Sequence, residues 1–137
     1  MKIDTLISPE YRKMNRFLHE NLRSYGRGGH RWASKVPSEW EDILDYGCGK
    51  GTLRKALVRP IAEYDPAIPG KDGEPDKHDY VVCTDVLEHI EPEYLTDVLR
   101  HIASTIGISG LLVVATRPAN KALPDGRNAH LLVRERS

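Results

Sequence analysis

Three glycines at alternate positions carry the clearest chemistry in this sequence. Gly47, Gly49 and Gly51 follow a short apolar run, Ile43–Tyr46, and precede a segment typical of a helix start. A glycine has no Cβ atom, so it tolerates positive φ where a chain leaves a strand and lets a ligand approach the backbone. The N–H groups of the following helix start carry partial positive charge and can face that ligand. The pattern is typical of loops that bind nucleotide-type cofactors.

The spacing of these glycines distinguishes between classes of cofactor. A dinucleotide fingerprint has its third glycine one position later, where this chain has Thr52. The spacing therefore disfavours a nicotinamide enzyme. Asp45 directly precedes the loop, and Asp65 ends the next predicted strand, where an acidic side chain commonly accepts hydrogen bonds from ribose hydroxyls. A plain turn aspartate before Pro66 is the alternative explanation for Asp65.

A second motif, Asp85-Val86-Leu87-Glu88-His89, follows another predicted strand. Taken with the glycine loop, it resembles the class I S-adenosylmethionine-dependent methyltransferases, over about residues 40–120. The resemblance implies that the glycines admit the cofactor, that Asp45 orders the loop and the methionine amine, and that Asp65 binds the ribose. The residues expected at the cofactor are Asp45, Gly47, Cys48, Gly49, Gly51, Asp65, Pro66, Thr84, Asp85, Leu87 and Trp32.

The candidates for catalysis are Glu88, His89 and His130. An imidazole titrates near working pH, so His89 can take a proton from an acceptor hydroxyl as its oxygen attacks the methyl group. A histidine that only holds the loop is an equally good explanation. His130 lies in the polar segment 117–130, which the resemblance places over the acceptor; a solvated loop explains that segment about as well.

The helices expected to position these residues flank the motifs. Ser8 and Pro9 predict a helix start, and an apolar stripe from Tyr11 to Tyr25 predicts a core-facing helix that ends near Gly26. The Tyr25–Trp32 segment is rich in glycine and predicts either a lid over the cofactor or a flexible linker. A second helix is expected from Glu91 to a stop at Gly107.

The strands predict an α/β fold, a Rossmann-like three-layer sandwich with a mostly parallel, reduced central sheet. Strands are expected near 42–46, 61–64, 80–84 and 111–116, the last buried on both faces. The interval from Asp65 to Tyr80 is too short for the family's third strand and its helices. The sheet order in family numbering is therefore 2-1-4-5, with the terminal antiparallel hairpin missing or reduced and Leu131–Val133 as its remaining candidate.

One domain is expected over residues 1–137, divided into an N-terminal helix and lid (1–35), a cofactor-binding core (40–120) and an acceptor-side loop and tail (117–137). The 20 basic and 20 acidic side chains give zero net charge, so neither nucleic acid nor a membrane is an expected partner. Cys48 and Cys83 indicate reduced thiols and, with no signal-peptide pattern, a cytoplasmic protein. The histidines have no His-x-x-x-His spacing, so no metal site is predicted.

The function that these observations favour is S-adenosylmethionine-dependent methyl transfer to a small molecule or to a protein or glycan side chain. Motifs typical of DNA amino- and cytosine-methyltransferases are absent from the sequence. Two alternatives remain: a cofactor-binding module without catalysis, suggested by the missing strands, and an enzyme that cleaves S-adenosylmethionine without a large acceptor. The short sheet also predicts a homodimer, because unpaired edges need cover.

Overall fold

The structure is a computed structural model that describes residues 6–23 and 25–132. Its helices are α1 (Pro9–Asn21), α2 (Thr52–Ala56) and α3 (Leu95–Thr105), and its strands are β1 (Ile43–Tyr46), β2 (Ile61–Tyr64), β3 (His78–Thr84) and β4 (Ile106–Val113). Short 3-10 helices cover Gly29–Lys35, Leu87–His89 and Pro92–Tyr94. Ser8 caps α1 as expected, since its hydroxyl accepts a hydrogen bond from the N–H of Tyr11 at 3.1 Å.

The four strands form one parallel sheet in the order β2-β1-β3-β4. This arrangement confirms the predicted α/β class and the reduced Rossmann-like sheet, with family strands 2-1-4-5. The carboxyl ends of β1, β2 and β3 all lead into loops at the same edge of the sheet. Ligands of open α/β sheets bind at that edge, and both sequence motifs lie there.

Alternate residues of the strands pack on opposite faces of the sheet. Leu44 and Val81 face a cluster that contains Val98 and Ile102 of α3. Ile43, Ile61 and Val82 face the other side, where Leu53 of α2 packs with Val36 and Trp40. Each face of the sheet is therefore covered by helix, and the apolar burial on both faces holds the strand ends in place.

The N-terminal helix does not lie on a face of the sheet. Tyr11 and Leu18 of α1 pack with Tyr25 and with Leu123 and Ala129 from the segment after β4. Ser8 also binds Glu91 through its backbone N–H and its hydroxyl, at 2.8 and 2.7 Å. The two ends of the described chain are thus joined to each other and to the loop after β3.

Two expectations about α1 were wrong. The helix ends at Asn21 rather than near Gly26, because Leu22 is already extended. Phe17 and Leu22 are 52% and 36% exposed, so the apolar stripe is only partly core. The helix sits at the rim of the molecule, and a rim position buries a narrower stripe than a position against the sheet.

The boundary between the last helix and the last strand was also predicted wrongly. The helix ends at Thr105, β4 begins at the next residue, and Gly107 lies inside the strand. Glycine fits closely there, since a Cβ atom would lie 3.0 Å from the carbonyl oxygen of His78 on β3. The strand was also expected to be buried on both faces, yet Leu112 and Ile108 are 43% and 65% exposed, since β4 is an edge strand.

Leu131 and Leu132, expected to contribute a further strand, form a turn, and Val133 lies outside the described residues. Leu131 packs against the cluster around Tyr11, so its apolar surface is already partly covered. Within residues 6–23 and 25–132, none of the helices combines the length and the apolar character that crossing a membrane requires.

Candidate functional site

A cavity of about 420 Å³ lies at the carboxyl ends of β1, β2 and β3. It brings together most of the residues that the sequence motifs predicted. Those that line it are Asp45, Gly47, Cys48, Gly49, Asp65, Pro66, Thr84, Asp85, Glu88, His89 and His130. The cavity therefore joins the glycine loop to the histidine-containing segment after β3.

Three predicted site residues do not line this cavity. Leu87 turns away and packs against the core cluster on the α3 side of the sheet. Gly51 is the N-cap of α2, on the side of the loop nearer Glu63. Trp32 instead donates its indole N–H to the Asp85 carboxylate at 3.0 Å. Trp32 thus supports a residue of the cavity wall.

Each glycine of the loop is required by its own surroundings. Gly47, Gly49 and Gly51 have φ values of +81°, +54° and +76°, which disfavour any residue with a Cβ atom. A Cβ atom on Gly47 would lie 2.3 Å from Val86, and one on Gly49 would lie 2.5 Å from the carbonyl oxygen of Gly26. The glycines therefore let three parts of the chain meet closely beside the cavity.

The backbone N–H groups of the loop are already paired within the protein. Those of Gly47 and Cys48 donate to the carbonyl oxygen of Tyr64, and that of Lys50 donates to the carbonyl oxygen of Gly26. The N–H groups of residues 47–51 are therefore not free for a ligand, and the expectation about the helix start concerns α2, none of whose residues lines the cavity. The loop instead offers a concave surface of fixed shape.

Asp65 holds this loop in place. Its carboxylate accepts hydrogen bonds from the N–H groups of Gly49 and Ala67, both at 3.0 Å. The side chain is buried, which raises its pKa, while the two N–H groups oppose that shift. Each carboxylate oxygen can accept a further bond, so Asp65 can still bind a ligand hydroxyl from the cavity.

Asp45 is 3% exposed at the end of β1 and lines the cavity. Burial raises its pKa to about 7, and the neighbouring carboxylates of Glu63 and Asp65 act in the same direction. Lys71 opposes the shift. A buried carboxylate of this kind is poorly compensated by the protein and favours a cationic ligand.

The segment after α1 lies over the glycine loop and is hydrogen-bonded to it. The Lys50 ammonium donates to the carbonyl oxygens of Leu22, at 2.6 Å, and of Tyr25. The hydroxyl of Thr52 donates to the carbonyl oxygen of Arg27 at 3.1 Å. These bonds fix the segment as part of the cavity wall, where Gly26, Gly28, Gly29 and Arg31 are exposed to the interior.

Glu88, His89 and His130 also line the cavity. Each offers one ligating atom, and these atoms all lie within 4.8 Å of one another. Glu88 is 1% exposed, and both of its carboxylate oxygens are buried without a hydrogen-bond partner. Burial raises the pKa of Glu88 and lowers that of His89 to about 4, with the nearby His130 also lowering the latter.

Sequence reasoning missed three side chains of α1 that line the cavity: Tyr11, Asn15 and His19. The hydroxyl of Tyr11 and the Nδ1 atom of His19 are buried without a hydrogen-bond partner. The spacing of four residues was a signal for this face, because polar tips at i, i+4 and i+8 align along a helix. Tyr11 was assigned to the core from its apolar ring alone.

Comparison with known protein families identifies a match. A family model described as a methyltransferase domain matches residues 11–135. The matched range includes most of α1, the glycine loop and the cluster of Glu88, His89 and His130. Searches of the curated proteins and of the solved structures found no match.

The pKa of Asp45 predicts a pH-dependent stability. An aspartate ionises near pH 3.9 in an unfolded chain, whereas Asp45 in the folded chain has a pKa of about 7, so ionisation of Asp45 opposes folding. The stability that the neutral carboxyl group contributes is therefore lost as the pH rises through 7. We expect Asp45→Asn to become more stable relative to the unchanged chain by about 3 kcal/mol between pH 5 and pH 8. Urea unfolding at both pH values measures this, and an equal difference at the two would contradict it.

Proposed function

Because the chain belongs to the methyltransferase domain family, we propose that it transfers a methyl group from S-adenosylmethionine to a small molecule or to a side chain of a protein or glycan. One observation carries the proposal. The same cavity is lined by the glycine loop with Asp45 and Asp65 and by Glu88, His89 and His130. In the proposed complex, a cofactor bound at the first group of residues presents its methyl group to the second.

The charges of the cavity support this choice of cofactor. S-adenosylmethionine carries an ammonium and a sulfonium, and the cavity contains the buried carboxylates of Asp45, Asp65 and Glu88. In the proposed complex Asp45 accepts from the ammonium and Asp65 accepts from the ribose hydroxyls. Pairing with the ammonium would restore the ionised form of Asp45 that burial disfavours.

The proposed reaction is a direct displacement at the methyl carbon. The acceptor atom attacks in line with the carbon–sulfur bond, and the sulfur leaves with the bonding electrons as the thioether of S-adenosylhomocysteine. Fixed placement of the two reactants supplies much of the rate. His89 is neutral at neutral pH, and its ring is held by the carbonyl oxygen of Ala129 at 2.8 Å, so its other nitrogen is available on the acceptor side.

Cofactor binding is the first prediction of this proposal. By calorimetry we expect S-adenosylmethionine and S-adenosylhomocysteine to bind and the nicotinamide dinucleotides not to bind. Asp65→Asn should weaken binding by about 1–3 kcal/mol, because it removes a charged acceptor of the ribose and of the loop N–H groups. Asp72→Asn is the matched control, since Asp72 pairs with Arg12 outside the cavity lining. Equal affinities for the two variants would contradict the assignment of Asp65.

Activity is tested with a methyl-labelled cofactor and a host-cell extract. The expected result is label in a defined acceptor together with S-adenosylhomocysteine. Breakdown of the cofactor by the purified chain without extract would instead support a cleaving enzyme. Tight cofactor binding with no turnover in any extract fraction would support a binding module. Fractionation of the labelled product then identifies the acceptor class.

We also propose that a second copy of the chain covers the outer edge of β4. In the described sheet this strand pairs with β3 alone, and Ile108, Leu112 and Val114 are exposed beside the free edge. An apolar edge of this kind favours pairing with another strand. The partial burial of Leu131 makes β4 a better candidate than the segment 131–133.

Light scattering at tens of micromolar chain should therefore give the mass of a dimer. Leu112→Lys places a charge on the proposed contact and should shift the mass towards the monomer. Val58→Lys is the control, because Val58 is fully exposed at the end of α2 and far from β4 in sequence. A monomer for the unchanged chain, or an equal shift in both variants, would contradict the proposal.

A further inference from the structure

The cluster of Glu88, His89 and His130 has the composition of a metal site that the sequence spacing did not indicate. Two of these residues are adjacent in the 3-10 helix after β3, and the third comes from the segment after β4. One carboxylate oxygen and one nitrogen of each imidazole lie within 4.8 Å of one another. The two imidazole rings meet edge to face, with centroids 4.7 Å apart.

Backbone carbonyl groups orient both imidazoles. Nδ1 of His89 lies 2.8 Å from the carbonyl oxygen of Ala129, and Nδ1 of His130 lies 2.6 Å from that of Arg117. A carbonyl oxygen only accepts, so each Nδ1 carries the hydrogen and each Nε2 has a free lone pair. Histidine ligands of metals are typically held in this tautomer by such a bond.

The environment of the Glu88 carboxylate supports a bound cation independently of the two histidines. It is buried at 1% exposure, and neither oxygen has a hydrogen-bond partner among the described residues. The N–H groups of Glu88 itself and of Ala115 favour its charged form, but neither makes a hydrogen bond of good geometry. A buried carboxylate without a partner is costly, and a bound cation removes that cost.

We propose that Glu88, His89 and His130 bind one divalent transition-metal ion of the Zn²⁺, Fe²⁺ or Mn²⁺ class. Two imidazoles and one carboxylate suit these ions and leave coordination positions open towards the cavity. A general base would use one imidazole, which leaves the matching orientation of the second unexplained. Donor atoms around such an ion lie about 3.0–3.4 Å apart. Side-chain rotations that move the ligating atoms by about 1 Å would bring them to this separation.

This metal site narrows the acceptor class, an inference that rests on the proposed function. An acceptor hydroxyl that binds the ion at an open position is polarised and releases its proton to solvent water. The oxygen then forms the bond to the methyl carbon, and the carbon–sulfur bond breaks with both electrons on sulfur. The products are a methyl ether, S-adenosylhomocysteine and the solvated proton. The acceptor is therefore an oxygen nucleophile.

The metal is tested by calorimetry on the full chain, without a polyhistidine tag and after treatment with a chelator. We expect Zn²⁺, Mn²⁺ and Co²⁺ to bind with one ion per chain and Mg²⁺ to bind much more weakly. Glu88→Gln and His130→Ala should each lose about 100-fold or more in affinity. His30→Ala is the matched control, because His30 also faces a backbone carbonyl but lies outside the cluster and the cavity lining.

The visible spectrum of the Co²⁺-loaded chain gives a second measurement that needs no variant. A ligand-field band characteristic of nitrogen and oxygen ligands is expected, and its absence would overturn the proposal. So would a lack of saturable binding by the unchanged chain, or equal losses in the His130→Ala and His30→Ala variants. Thermal melting of each variant shows whether a loss of binding reflects loss of the fold.

The measurements of cofactor binding and of methyl transfer to an acceptor distinguish this inference from the proposed function. S-adenosylmethionine binding without metal binding would overturn the metal site alone, and metal binding without cofactor binding would overturn the proposed function alone. In the labelled extract, transfer should stop with a chelator, return with added metal and yield a methyl ether. Chelator-insensitive transfer to nitrogen or sulfur would overturn the assignment of an oxygen acceptor.

Discussion

The buried carboxylate of Asp65 is the interaction on which the rest of the site depends. It ties the end of β2 to the glycine loop through the N–H of Gly49 and shapes its own turn through the N–H of Ala67. Gly49 in turn lies against Gly26, so the position of the loop determines how closely the N-terminal segment can approach. A displacement of Asp65 would therefore move the glycine loop and change how closely the N-terminal segment packs against it.

The cavity contains three buried carboxyl groups, those of Asp45, Asp65 and Glu88. Burial raises the pKa of all three, and Lys71 opposes the shift at Asp45 and Asp65. Such an arrangement costs folding free energy and is stable when ligands supply the missing positive charge. A cationic cofactor would pair with the carboxylate of Asp45, and a metal ion would pair with that of Glu88 in the same cavity. The electrostatics thus link the proposed function to the proposed metal site.

The short sheet explains why the site is enclosed by the segments before β1 and after β4. With four strands, the region above their carboxyl ends is enclosed by α1 and by the segment after β4, which pack together around Tyr11 and Leu123. This packing brings His130 beside His89 and places the polar tips of α1 in the cavity wall. Because the sheet ends at β4, Ile108 and Leu112 of that strand are exposed.

Local patterns in the sequence determined the strands β1 to β3, the glycine loop and the acidic residues at the strand ends, because each depends on neighbouring residues and on chain geometry. Local patterns did not predict that β4 is an exposed edge strand. The run around Leu112 has the composition of a fully buried strand, and it is exposed because no further element among the described residues covers it. The grouping of His130 with Glu88 and His89 was likewise decided by tertiary structure. Residues 41 positions apart in sequence meet only when the loop after β4 folds back over the strand ends. Their common orientation comes from backbone carbonyl groups, which carry no sequence signature.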